Sequence, residues 1–121
     1  MKGKTTVLLI EDDLETLSTL SEILISAGYD VKSANDAQSA LQFLTTDVYP
    51  RWVVLDYEIA GLDAEQYLSR LKMKFPHTKI ILSSGYPEDF IKRESSMGSV
   101  DKFIAKPFNP SFLINEMKDC A

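Results

Sequence analysis

A single cysteine, Cys120, and a single histidine, His77, stand in a chain of 121 residues. One thiol closes no internal disulfide and builds no multi-cysteine zinc site. It fits a reducing compartment, so a cytoplasmic location is expected. One imidazole leaves little room for histidine-based metal or triad chemistry. No apolar run is longer than four residues, against the roughly 20 needed to cross a bilayer, so membrane insertion is not expected. The start, Met1-Lys2-Gly3-Lys4, is basic, but the apolar stretch after it covers only residues 7–10 before Glu11, Asp12 and Asp13 interrupt it. That is too short for a signal peptide. Basic residues are in the minority, 13 against 18 acidic, and the net charge is −5. Direct nucleic-acid binding, which needs a basic surface, is therefore not expected.

What remains is ordinary globular composition, with 45% hydrophobic and 26% charged residues, enough for one buried core. With no linker-like stretch and no internal repeat, residues 1–121 are expected to form one domain without a separate output unit. Apolar periodicity alternates along the chain. Short β-rich runs fall at 6–10, 30–34, 52–56, 79–83 and 102–105. Helical spacing links Leu17, Leu20, Leu24 and Ala27, then Ala37, Ala40, Leu41 and Leu44, then Leu68, Leu71 and Phe75. Leu113 and Met117 point to a last helix, and Pro87 suits the first turn of another over 87–97. Gly28 is placed to end the first helix and Pro76 the third. Five strands alternating with five helices predict an α/β fold around a parallel sheet. The runs Trp52-Val53-Val54-Leu55 and Ile80-Ile81-Leu82 lack alternation, as strands covered on both faces do.

In such a sheet, ligands gather beyond the carboxyl ends of the strands. Glu11, Asp12 and Asp13 follow the first strand, Asp56 ends the third, Ser83-Ser84-Gly85 the fourth, and Lys106-Pro107 the fifth. Taken singly, each has a plain structural explanation. Asp12 or Asp13 can cap a helix, Ser84 can serve a turn, and Lys106 can sit in solvent. Together they are a chemical set. Carboxylates converging on one edge repel each other unless a cation sits among them, and Mg²⁺ suits all-oxygen ligands where phosphate is handled. A carboxylate there can attack phosphorus, while a lysine and a hydroxyl neutralise the transferred group.

At Leu8-Leu9-Ile10-Glu11-Asp12-Asp13, Val53-Val54-Leu55-Asp56, Leu82-Ser83-Ser84-Gly85-Tyr86 and Phe103-Ile104-Ala105-Lys106-Pro107-Phe108, the sequence resembles the receiver domain of two-component response regulators. The spacings, 44 residues from Asp12 to Asp56 and 22 from Ser84 to Lys106, agree with that likeness. The resemblance implies a doubly wound, flavodoxin-like sheet in the order 2-1-3-4-5 with helices on both faces. It implies Asp56 as phosphoacceptor, with Mg²⁺ held by Glu11, Asp12, Asp56 and the Glu58 backbone carbonyl. Ser84 takes the switch hydroxyl's place, Lys106 that of the phosphate-binding lysine, and Phe103 that of the switch aromatic. A cis Lys106–Pro107 peptide is implied as well. Implied partners are a histidine kinase or histidine phosphotransfer protein, and a downstream target protein or a parent hybrid kinase. The chain departs from the family where a proline and a glycine usually follow the phosphoacceptor. Ala60 and Ala64 stand there, with Gly61 between them. Glu58 and Tyr86 flank the expected path of a hydrolytic water. Two other readings are a receiver-like interaction module that is never phosphorylated and a haloacid-dehalogenase-type phosphohydrolase. The latter places its Asp-x-Asp nucleophile after the first strand, whereas here Glu-Asp-Asp does so.

Overall fold

The five β-rich runs become strands β1 (Thr6–Ile10), β2 (Asp30–Ala34), β3 (Trp52–Asp56), β4 (Lys79–Ser84) and β5 (Lys102–Ala105). All four pairings between them are parallel, and the sheet order is β2-β1-β3-β4-β5. The computed structural model describes residues 4–87, 89 and 98–119. Helices α1 (Leu14–Ser26), α2 (Ala37–Phe43), α3 (Ala64–Lys74) and α4 (Pro110–Asp119) connect or follow the strands. The helix expected over 87–97 lies almost wholly outside the described residues. Strand β4 runs one residue past its expected end, so Ser84 still pairs in register with Ala105.

Strand side chains alternate between faces, and two cores result. On one face Leu8, Ile10, Val53, Leu55, Ile80 and Leu82 pack under α2 and α3. On the other, Val7, Leu9, Trp52, Val54 and Ile81 meet Leu20 and Leu24 of α1 with Leu113 and Met117 of α4. The unbroken apolar runs of β3 and β4 therefore reflect cover on both faces. Two residues that fit the helical spacing nonetheless face solvent. Ala27 is the exposed C-cap of α1, and Leu41 is exposed because Ala40 and Phe43 carry the buried stripe of α2. Gly28 follows the C-cap with φ +99°, a conformation that side-chain-bearing residues rarely adopt. The third helix ends before Pro76, as its proline dictates.

Short polar side chains fix where helices begin. Asp13, Asp36 and Asp63 accept from backbone amides three residues on and cap α1, α2 and α3. Asn109 accepts from the Ser111 amide, two residues on, at the head of α4, with Pro110 in the first helical position. Gly61, with φ +79°, shapes the loop that leads into Asp63, and Ala64 is buried at the start of α3. A glycine turn and an aspartate cap thus lie between Ala60 and Ala64.

At two turns long, α2 leaves most of its carbonyls without helical partners. Thr45 and Thr46 serve Gln42 and Phe43 with both amide and hydroxyl. Lys74 donates to the Leu44 carbonyl, and the buried Tyr67 hydroxyl donates to Ala40 at 2.8 Å. Two of these bonds come from α3, so packing rather than propensity holds α2. Tyr67→Phe should lower the unfolding free energy by about 1–2 kcal/mol, because it strands a buried carbonyl. Burial also pushes the Tyr67 phenol above its usual 10. The unfolded chain sheds that proton first, so stability falls as pH rises through about 10. Urea denaturation at neutral and alkaline pH checks both, and the variant should lose less on the alkaline side.

Candidate functional site

Order reversal makes a crevice between β1, whose next strand in sequence lies on one side, and β3 on the other. Glu11 stands just past β1, where its amide still donates to the Ala34 carbonyl at 3.0 Å, and Asp56 closes β3. Both carboxylates are only 3% exposed. Asp12, next along, is exposed at the rim. Oxygens of Glu11, Asp12 and Asp56 all lie within 4.8 Å of one another. From the far side, Lys106 at the end of β5 brings its ammonium 2.9 Å from Glu11 Oε1 and 3.0 Å from Asp56 Oδ2. Three carboxylates and one ammonium, separated by up to 95 residues of chain, meet at one edge.

The three consecutive acids divide their work. Asp13 points away from the cluster and takes the amide and hydroxyl of Thr16 as the α1 cap. Those bonds hold its carboxyl below the ordinary range. Asp12 is left to the cluster, so of the two candidate caps only Asp13 serves as one. Glu11 links both jobs: Oε1 takes the Lys106 ammonium while Oε2 accepts from the Asp13 amide at 3.1 Å.

Burial raises the Glu11 carboxyl above its usual value despite the nearby ammonium, and Asp56 adds a smaller push in the same direction. Burial would by itself lower Lys106, yet its bonds to Glu11 and Asp56 carry it above the ordinary lysine value. Sequence reasoning took mutual repulsion as the main cost of the cluster. For Glu11, desolvation is the larger one. The donor set, all carboxylate oxygen, is that of a hard divalent ion, and the exposed Asp12 opens it to solvent.

A second group lies beside the first. Ser84 Oγ, on a residue 5% exposed, donates to Glu58 Oε1 at 2.6 Å and accepts from the Tyr86 amide at 2.9 Å. The Gly85 amide donates to the same Glu58 oxygen at 3.1 Å. Glu58 is itself placed by its amide, which donates to Asp56 Oδ1 at 3.0 Å. Sequence reasoning gave Glu58 a metal-facing carbonyl and a side chain beside the water path, and missed that the side chain holds Ser84 and Gly85. Neighbouring β3 and β4 were the available signal, since residues just past their ends must face each other. Tyr57 and Tyr86 meet edge to face with centroids 6.5 Å apart. Phe103, half-buried on β5 opposite Leu82, lines a cavity of about 170 Å³ with Ser84, Tyr86, Ile104 and Ala105.

The family model for the response regulator receiver domain matches residues 7–118. The chain belongs to that family. Response regulator protein FleR of Pseudomonas aeruginosa is 28% identical over 110 residues, which cover 90% of this receiver but 23% of FleR. Sporulation initiation phosphotransferase F of Bacillus subtilis is 30% identical over 114 residues, covering 93% of this chain and 87% of that one. Among solved structures, a CheY-like receiver domain protein from Methanospirillum hungatei superposes with a TM-score of 0.87 at 24% identity, covering 98% of this chain and 94% of that one. The cis Lys106–Pro107 peptide implied by the resemblance is present in the receiver.

If the three carboxylates hold a divalent ion, the metal stabilises the folded receiver by mass action. Mg²⁺ at ten times its dissociation constant should add about 1.4 kcal/mol. Asp12→Ala, which leaves the Asp13 cap intact, should abolish that gain. Thermal melts with and without Mg²⁺ measure it, and an unchanged response in the variant contradicts the assignment.

Proposed function

We propose that this receiver is the phosphoaccepting switch of a two-component phosphorelay, with Asp56 as its phosphoacceptor. The observation that carries the reading is the Lys106 ammonium within 3.0 Å of Asp56 and 2.9 Å of Glu11, with Asp12 in the same cluster. That edge has a nucleophile, a fixed positive charge and a cation site, which phosphoryl transfer requires together.

An Asp56 oxygen attacks the phosphorus of a phosphohistidine. The new P–O bond forms as the P–N bond breaks, and the departing imidazole keeps the electron pair and takes a proton from water. Glu11, Asp12, Asp56 and the Glu58 carbonyl are the residues that would hold Mg²⁺. When bound, the ion neutralises phosphoryl oxygens and carboxylates. Lys106 pairs with a second phosphoryl oxygen, and Ser84 donates to the third. The donor is a histidine kinase or histidine phosphotransfer protein, and both reaction partners act in the cytoplasm. The receiver turns over no outside substrate; it gains and loses its own phosphoryl group.

The added charge of about −1.5 to −2 draws in Lys106 and Ser84. Phe103 then moves into the cavity beside Ser84, which alters the face that carries β5 and α4. A downstream protein, or the rest of a parent hybrid kinase, reads that face, and its preference for one state sets how far the population shifts. No contact with nucleic acid or membrane is part of this scheme. In the presence of Mg²⁺, acetyl phosphate should add one phosphoryl group by intact-mass measurement. Asp56→Asn should stay unmodified. A variant that still takes up label would move the acceptor elsewhere.

A further inference from the structure

The donors that a phosphoryl group on Asp56 would recruit from β4 are already engaged. Ser84 has one hydroxyl hydrogen, and it points at Glu58 Oε1 over 2.6 Å. The adjacent Gly85 amide spends its hydrogen on the same oxygen. Both acceptor roles fall to one anionic oxygen, and the Tyr86 amide occupies the hydroxyl's other side. Glu58 is held in reach by its own amide on Asp56 Oδ1. The arrangement is that of an internal anion seated on the donors meant for another.

We infer that the Glu58 carboxylate is a latch on the switch: it stands in for a phosphoryl oxygen, holds Ser84 and Gly85 in the unmodified receiver, and must be displaced before they can turn to phosphorylated Asp56. This deepens the phosphoacceptor reading and rests on it. Hydrogen bonds to a charged acceptor are the stronger kind, so the latch biases the receiver toward its unmodified state. Only the excess of the phosphoryl group's hold on Ser84 over that of Glu58 is available to drive the change. The residue two positions past the acceptor thus sets the resting bias of the switch through the hydroxyl. Glu58 is a positioning residue in this role, since it acts through Ser84.

Beryllium fluoride with Mg²⁺, a phosphoryl mimic, gives a binding readout independent of phosphotransfer rates. Calorimetric titration of the full chain should show Glu58→Ala binding the mimic about tenfold more tightly than the unsubstituted receiver, as loss of a charged hydrogen bond implies. Glu58 also carries charge, and simple repulsion of the mimic would tighten binding too. A double-mutant cycle separates the two. With Ser84→Ala already in place, Glu58→Ala should gain much less, because the hydroxyl it restrained is gone. Glu58→Gln, uncharged but still an acceptor, should fall between the unsubstituted receiver and Glu58→Ala. Equal gains with and without Ser84, or Gln matching Ala, mean repulsion alone and overturn the latch. Unaltered affinity in Glu58→Ala overturns it as well. If the unsubstituted receiver does not bind the mimic at all, the phosphoacceptor reading itself fails and the latch goes with it.

Discussion

Two buried carboxylates side by side are tolerable only with positive charge between them, and in this receiver the charge comes from the opposite end of the chain. Glu11 and Asp56 face each other across the β1–β3 seam, and Lys106 lies against both. Parallel strands about 4.8 Å apart put the ends of β5 and β3 two spacings from each other. Closing that gap demands that β5 finish level with its neighbours, and the ladder ensures it: Ser84 pairs with Ala105, and the Lys106 amide donates to the Ser84 carbonyl at 2.8 Å. Slippage of β5 by one residue would reverse which face its side chains meet. The alternating burial of Phe103 toward one core and Ile104 toward the other prevents it. The core thus fixes the register, and the register delivers the ammonium.

The same dependence explains how far the chain could be read without coordinates. Strands end together when they are parallel, so the residues just past β1, β3, β4 and β5 could be assigned to one edge from their order alone. Leu20, Leu24, Leu68, Leu71, Leu113 and Met117 were legible because helical spacing and burial agree at them. At α2 they part company. Leu41 satisfies the spacing, yet it is exposed, and Ala40 and Phe43 face the core instead. Tyr67, four residues before Leu71, is buried as well, but the spacing says nothing of what its hydroxyl meets. Its partner is a carbonyl orphaned at the end of another helix, which only the packed structure reveals.

Asp12 and Asp13 were indistinguishable in sequence for a related reason. Each is an acid between a strand and a helix, and only the backbone decides which one lies opposite the Thr16 amide. Asp13, with extended dihedrals, takes that place, and Asp12 falls on the sheet edge. Glu58 posed a harder case. Its carbonyl and its side chain serve different neighbours, and a motif reports the position without saying which part of the residue acts.

Glu11 ties these pieces into one unit. Through Oε1 it holds the β5 lysine, and through Oε2 it holds the amide of the residue that caps α1. Desolvation raises its carboxyl, so each bond that favours the charged form also offsets the cost of burying it. A carboxylate of this kind is kept at the sheet edge by partners from both ends of the chain. Ser84 and Gly85, by contrast, are held by Glu58, an exposed residue. The site therefore has one half built on β1, β3 and Lys106, where buried charges are paired. Its other half, past the end of β4, is held by the Glu58 carboxylate, the acid that the proposed latch would release.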